Sequence, residues 1–125
     1  MKKIILFSVF LTLLFVSKSF SQSAVYFCTE TGAYGYAYNY GSEYDAKNEA
    51  YNQCVNYGGT NPVLIASTDN KGYGAIAIGK NSDGNRVIGV ALGYSSLSKA
   101  KNEAIRQCED YGGYNVSVKH TWNDN

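Results

Sequence analysis

The sequence predicts an α+β domain made of two tandem ββαβ repeats, with about six strands and two helices related by a pseudo-two-fold axis. The first observation is an internal repeat: residues 35–61 and 89–115 agree at 15 of 27 positions, at a constant offset of 54 residues. The second is hydrophobic periodicity, which changes within each repeat from strand-like alternation to the four-residue step of a helix. The third is a Gly-Gly pair after each predicted helix. One supersecondary unit used twice explains all three, and the units span residues 24–68 and 73–122.

Residues 1–21 are predicted to be a secretory signal peptide, and residues 22–125 a single domain. A basic start at Lys2 and Lys3 is followed by a mainly apolar run over residues 4–16 and then by small residues. This run is too short for a membrane-spanning helix, which needs roughly 20 apolar residues. We therefore expect an exported protein, periplasmic or extracellular, whose mature chain has no membrane span.

The first unit is predicted to run strand, strand, helix, strand. Residues 24–29 and 34–40 are rich in β-branched and aromatic residues and flank a turn centred on Thr31-Gly32, which is typical of a hairpin. A helix follows, and the Gly-Gly pair ends it. Its buried stripe is expected at steps of four, four and three residues: Ala46, Ala50, Cys54 and Tyr57. A strand over residues 63–68 completes the unit.

The second unit repeats this order. Strands over residues 73–79 and 86–94 flank a tight Asp-Gly turn, and residues 116–122 form the last strand. Ser42 and Ser96 precede the two helices as N-caps. The second buried stripe is expected at Ala100, Ala104, Cys108 and Tyr111. We expect both helices to pack on the sheet.

Alternation along residues 34–40 places four tyrosines on one strand face: Tyr34, Tyr36, Tyr38 and Tyr40. If exposed, this row would bind a sugar or a protein partner, because tyrosine joins a flat apolar ring to a hydroxyl. If buried, it would be ordinary core packing. The corresponding row of the second unit favours packing, since it holds mostly aliphatic residues: Ile88, Val90, Leu92 and Tyr94. Both interpretations stay open, and the row is the candidate ligand-binding site.

Composition excludes several classes of function. Without the predicted signal peptide, 8 basic residues stand against 10 acidic ones, so the net charge is about −2 and no basic run remains. Nucleic acids and anionic membrane surfaces are therefore poor candidate partners. No cluster of His, Cys and Asp residues has the spacing of a zinc site, and we expect neither a metal nor a cofactor.

No catalytic residues are predicted. Ser96 to Lys99 match the Ser-x-x-Lys pattern of serine acyl enzymes, but helix capping explains this segment better. His120, the only histidine, has no evident nucleophile beside it in the sequence, so a position on the surface or at a strand edge is the simpler interpretation. The charged residues repeated in both helices are interpreted as solvated helix faces: Lys47, Glu49, Lys101 and Glu103. We expect a protein that is not an enzyme.

The first unit contains a Thr-Gly-x-Tyr-Gly hairpin at residues 31–35, then Ser42, an Ala/Glu-rich helix at residues 46–50 and Cys54. In this pattern the chain resembles a family of small exported bacterial proteins classed as a domain of unknown function, with tandem repeats of Gly-x-Ala strands and a helix ending in cysteine. The likeness covers residues 24–122. The resemblance implies an exported interaction protein, without an established activity.

Three cysteines remain in the mature chain, Cys28, Cys54 and Cys108. In an oxidising compartment we expect one disulfide and one spare thiol, and three buried thiols are the alternative. Members of the resembled family commonly carry a second cysteine shortly after each helical one, and this chain lacks both. The resemblance thus leaves Cys28 as the other candidate. In the predicted register Cys28 lies opposite Gly35 and faces the helix, so we expect the pair Cys28–Cys54.

The sequence thus predicts an exported, non-enzymatic binding module for an unidentified protein or glycan. The alternative is a periplasmic or secreted inhibitor or immunity-type protein that acts on a toxin or hydrolase. Because both strand faces look apolar, a homodimer that covers one of them is also open.

Overall fold

The computed structural model describes residues 21–124. Along the chain the elements are β1 Gln22–Phe27, β2 Tyr34–Tyr40, α1 Glu43–Asn56, β3 Val63–Thr68, β4 Gly72–Lys80, β5 Arg86–Tyr94, α2 Leu97–Asp110 and β6 Tyr114–Asp124. The predicted α+β class and the two ββαβ units are confirmed. The predicted signal peptide lies outside the described residues, apart from Ser21. Within the described range, neither helix is long and apolar enough to cross a membrane.

The strands form two antiparallel three-stranded sheets, ordered β2-β1-β3 and β5-β4-β6, instead of the single sheet that we expected. Each sheet packs small residues against its own helix and larger apolar residues on its other face. That second face is shielded from water by packing against the other sheet. The main core therefore lies between the sheets, and its buried members come from both units: Val25, Phe27, Ile76, Ile78, Ile88, Val90 and Trp122.

Each helix contacts the backbone of a strand through a glycine. A Cβ atom on Gly35 would lie 2.1 Å from the Ala50 carbonyl oxygen, and one on Gly89 would lie 1.9 Å from the Ala104 carbonyl oxygen. The alanines and cysteines of the predicted stripes are buried as expected. Tyr57 and Tyr111 were wrongly placed in the stripes. They are the C-caps of α1 and α2 and are 76% and 69% exposed, because each helix ends there and the following glycine turns the chain away at positive φ.

The β1–β2 hairpin differs from the predicted register by two residues, since Tyr26 and not Cys28 pairs with Gly35. The Cys28 amide donates to the Ala33 carbonyl at 2.9 Å, which centres the turn one residue earlier than predicted. Because a shift by two residues preserves side-chain direction, Cys28 still faces the helix as expected.

The predicted row of four tyrosines is interrupted by a β-bulge near the end of β2, which removes Tyr40 from it. Gln22 pairs with Tyr40 and Ala24 with Ala37, so two residues of β2 oppose the single residue 23. Asn39 occupies the bulge in the left-handed region at φ 59°, which asparagine tolerates better than most residues other than glycine. The extra residue reverses the alternation, so Tyr40 packs on the helix side with the alanines of α1.

The two strands that border α1 and α2, β2 and β5, are edge strands, and each donates a backbone hydrogen bond to a side chain of its helix. The Tyr36 amide donates to Gln53 Oε1 at 3.1 Å, and Gln53 Nε2 donates to Glu49 Oε1 at 3.2 Å. The same two bonds recur in the second unit at 3.2 and 3.3 Å, between Val90, Gln107 and Glu103. The interpretation of Glu49 and Glu103 as merely solvated was therefore wrong, because each orients a glutamine that caps an edge strand.

Candidate functional site

A groove of about 1160 Å³ lies along β2. Its floor holds Tyr34, Tyr36 and Tyr38 of β2 with His120 of β6, and these four residues define what we call the Tyr–His groove. The β1–β2 turn, residues 29–33, forms one wall, and the adjoining ends of β4 and β5 contribute Lys80 and Arg86. The C-terminal end of α1 closes the third side with Gln53 and Tyr57.

His120 lies between two tyrosine hydroxyls. Tyr34 Oη is 2.8 Å from His120 Nε2, and Tyr36 Oη is 3.1 Å from His120 Nδ1. A neutral imidazole has one N–H and one acceptor nitrogen, so it donates to one hydroxyl and accepts from the other. The structure thus joins two residues of β2 and one of β6, which are 84 and 86 positions apart in sequence.

The side chains of Tyr34, His120 and Tyr36 are held in their neutral forms. Burial lowers the pKa of His120, and the nearby charge of Lys119 adds to this effect. Burial also raises the pKa of Tyr34 and Tyr36, while the charge of Arg86 opposes the shift at Tyr34. Neither a tyrosinate nucleophile nor an imidazolium acid is therefore favoured at neutral pH. The arrangement suits hydrogen bonding to a ligand better than proton transfer.

Nearly parallel aromatic rings extend the groove beyond His120. Tyr36 and Tyr38 each stack on Trp122 with centroids 5.4 and 5.3 Å away and interplanar angles of 11° and 9°. Trp122 is buried against Gly74, where an added Cβ atom would lie 2.3 Å from the indole ring. Tyr38 is 41% exposed. The buried tryptophan thus supports an aromatic surface that Tyr38 presents to solvent.

The groove wall carries positive charge within a domain that is acidic overall. The Arg86 guanidinium lies 5.8 Å from the centroid of the Tyr34 ring, within range of a cation–π interaction. It also donates to the Gly32 carbonyl at 2.8 Å, which ties the two hairpin turns together. Lys80 adds a second cation to the lining, and Glu30 is its single carboxylate.

The structure brings together three of the four predicted tyrosines and adds residues that the sequence analysis did not assign. Tyr40 borders the groove only from the helix side. His120 lies half-buried on β6, an edge strand, as the sequence analysis expected, but the contacts of both its ring nitrogens with tyrosines were not foreseen. The role of Trp122 was also missed.

The internal repeat contains a signal for these residues. In unit two, the positions that correspond to Tyr34, Tyr36 and Tyr38 hold Ile88, Val90 and Leu92. In unit one, the positions that correspond to His120 and Trp122 hold Ala66 and Thr68. Both departures from the repeat fall on the same side of the molecule. A comparison of the two units position by position, extended to the last strand, would have marked them.

The three cysteines are free thiols in the structure. Cys28 and Cys54 belong to one buried cluster with Ala33, whereas Cys108 belongs to the cluster under α2. The expected Cys28–Cys54 disulfide is not formed, and the pairing stays a prediction. Among residues 21–124, no group of three or more His, Cys, Asp or Glu side chains is arranged to hold a metal ion.

Comparison with known proteins places the chain in a family. No match to the chain was found among curated proteins or among solved structures. One family matches residues 23–123, nearly the whole described chain, and it is a domain of unknown function, DUF4189. This confirms the expected kind of family, while export and the tandem repeat as a family trait stay predictions. The chain belongs to the DUF4189 family.

Proposed function

We propose that the chain is an exported, non-enzymatic binding module whose ligand contacts the Tyr–His groove. One observation carries this proposal: the groove residues depart from an internal repeat whose other copy folds with aliphatic residues in the same places. Packing alone therefore does not require three tyrosines and a histidine there. Functional sites are expected where the residues of a chain depart from the pattern that its fold requires, here the pattern of the internal repeat.

The chemistry of the groove favours a ligand that offers flat apolar surface together with hydroxyl or acidic groups. Tyr38 provides an exposed ring for stacking, and the Tyr34–His120–Tyr36 chain provides neutral donors and acceptors. Arg86 and Lys80 add positive charge at the wall. A glycan or an exposed protein segment meets this description.

The first test captures partners of the tagged chain from envelope extracts and culture fluid, and screens the chain against a panel of neutral and acidic oligosaccharides. Tyr38→Leu is the informative variant, because leucine occupies the same place in the second unit and the side chain is exposed. Tyr111→Leu is the matched control, since Tyr111 is 69% exposed and lies outside the groove lining. We expect Tyr38→Leu to lose at least tenfold in affinity and Tyr111→Leu to bind as the wild type. Equal binding by all three proteins would refute the groove as the site.

The alternative function, an inhibitor or immunity-type protein that acts on a toxin or hydrolase, would use the same groove against an enzyme. The captured partner distinguishes the two. If it is a hydrolase or toxin, its activity is assayed with increasing amounts of the chain. Stoichiometric loss of that activity, relieved by Tyr38→Leu, would favour the inhibitor.

A further inference from the structure

Two buried thiols lie beneath the β1–β2 turn. Cys28 follows β1, Cys54 is in the last turn of α1, and both are 0% exposed. The Ala33 carbonyl accepts hydrogen bonds from both residues, from the Cys28 amide at 2.9 Å and from Cys54 Sγ at 3.5 Å. One backbone oxygen thus fixes the positions of both cysteines relative to each other.

The second unit shows how close the backbone at the corresponding place comes to the helical cysteine. Tyr26 pairs with Gly35 in the first unit and Ala77 with Gly89 in the second, so Gly79 occupies the place of Cys28. A Cβ atom built on Gly79 would lie 3.2 Å from Cys108 Sγ. In a disulfide each Cβ atom lies about 3 Å from the partner's sulfur, as follows from the S–S length and bond angle. The backbone at this place therefore holds a residue within disulfide range of the helical cysteine, and only the first unit puts a cysteine there.

The surroundings of the two sulfur atoms differ. The Thr31 hydroxyl and the Asn61 backbone amide are the main groups that lower the pKa of Cys28, to about 6, and the Thr60 hydroxyl lies 3.6 Å from its sulfur. Burial, with the charge of Cys28, raises the pKa of Cys54. Cys28 is thus the more easily ionised of the two thiols, which is the asymmetry of an attacking and a resolving cysteine.

We propose that Cys28 and Cys54 are a dithiol site that reacts with an external disulfide when the β1–β2 turn above them opens, with Cys28 as the attacking and Cys54 as the resolving residue. The Cys28 thiolate attacks one sulfur of the external disulfide, which forms a mixed disulfide and releases one thiolate that takes up a proton from solvent. Cys54 then loses its proton and attacks the Cys28 sulfur, which forms the Cys28–Cys54 bond and releases the second thiolate. Two protein thiols are oxidised, and one external disulfide is reduced to two thiols.

The bond would fasten the β1–β2 turn to α1. Residues 29–33 of that turn form a wall of the groove, so oxidation would fix this wall to the helix that closes the third side. A disulfide also restricts the unfolded chain and so stabilises the folded state. This inference does not depend on the groove's having a ligand.

The test uses the full-length purified chain, reduced and then incubated with oxidised glutathione in native buffer and during refolding from urea. Remaining thiols are alkylated in denaturant, and intact mass and peptide mapping follow. We expect wild-type protein to lose two thiols, with the crosslink mapped to Cys28 and Cys54 and with Cys108 alkylated. The oxidised protein should unfold at a higher urea concentration than the reduced protein.

Three variants assign the roles. Cys108→Ser is the matched control and should form the same crosslink. Cys54→Ser should stop at a glutathione adduct on Cys28, whereas Cys28→Ser should form an adduct on Cys54 at least tenfold more slowly. A crosslink that includes Cys108, preferential modification of Cys54, or three free thiols after refolding with oxidised glutathione would overturn the proposal. The wild-type map answers the pairing question even if a serine variant fails to fold.

Discussion

Gly35 and Gly89 set how closely each helix approaches its sheet. Neither has room for a side chain, because an added Cβ atom would lie within 2.1 Å of a helix carbonyl oxygen in both units. Backbone lies on both sides of the contact, so no side chain can move aside to relieve it.

We expect Gly35→Ala and Gly89→Ala each to lower the free energy of unfolding by at least ~3 kcal/mol, because the helix must move off the sheet. Urea denaturation followed by circular dichroism measures this. Gly84→Asn is the control, since a Cβ atom there meets nothing within 4 Å and asparagine tolerates its positive φ of 82°. A Gly35→Ala protein as stable as the control would show that the contact is not tight.

His120 should make stability depend on pH. Its pKa in the folded protein lies below the ordinary value, so the neutral form is the one that folding favours. Its contribution is fully present above the unfolded-state pKa of about 6.5 and is lost as the pH falls through the folded-state pKa. We expect the wild type to lose more stability than His120→Ala between pH 7.5 and pH 5. Denaturation curves at both pH values measure this, and parallel losses would show that the imidazole is not held neutral.

The residue scale also shows the limit of sequence reasoning at the site. The alternation of β2 was sufficient to group Tyr34, Tyr36 and Tyr38. It was not sufficient for Tyr40, because asparagine at position 39 only weakly indicates a left-handed bulge. Glycine, which occupies the same place in unit two, indicates such a bulge more strongly. His120 lies beside Tyr34 and Tyr36 because the two sheets pack together, and no local sequence pattern encodes that packing.

At the scale of elements, the bond from helix to edge strand explains why glutamate and glutamine recur in both helices. Gln53 accepts from the outward-pointing amide of β2, and Glu49 holds its side-chain amide. An edge strand without such a cap offers free backbone groups to another chain. Both units thus contain the same hydrogen bonds from glutamate through glutamine to an edge strand, which local hydrophobic periodicity does not reveal.

Replacing Gln53 or Gln107 by alanine should cost about 1–3 kcal/mol of stability, because a part-buried backbone amide loses its acceptor. Asn52→Ala, an exposed change on the same helix, is the control. Urea denaturation gives the stability, and size-exclusion chromatography reports whether the uncapped edge promotes self-association. If Gln53→Ala and Asn52→Ala are equally stable, the amide is satisfied by another group.

The boundaries of the elements were largely predictable. Strands β2, β3 and β5 begin and end where the sequence indicated, since glycine, proline and turn residues bound them. The offset in β1 arose from the turn, whose centre could lie at either of two places that preserve the same side-chain faces.

At the scale of the whole molecule, two similar units pack sheet against sheet, and their symmetry is broken on one side. Where β5 lies near β3, aliphatic side chains fill the interface. Where β2 lies near β6, tyrosines, a histidine and a tryptophan surround a groove. The sequence predicted two units but one sheet, because strand patterns specify which faces are apolar and leave open what covers them.

We propose that the Tyr–His groove serves binding and is not needed for folding. The most direct measurement is urea denaturation of the triple variant Tyr34→Ile, Tyr36→Val and His120→Ala, which gives the groove the residues that the other unit carries in these places. All three partners of the Tyr34–His120–Tyr36 hydrogen bonds are removed together, so none of these three groups is left without its partner. We expect a cooperative transition within ~2 kcal/mol of the wild type. A loss of cooperative unfolding, or a cost above ~4 kcal/mol, would show that these residues are core and would contradict the account.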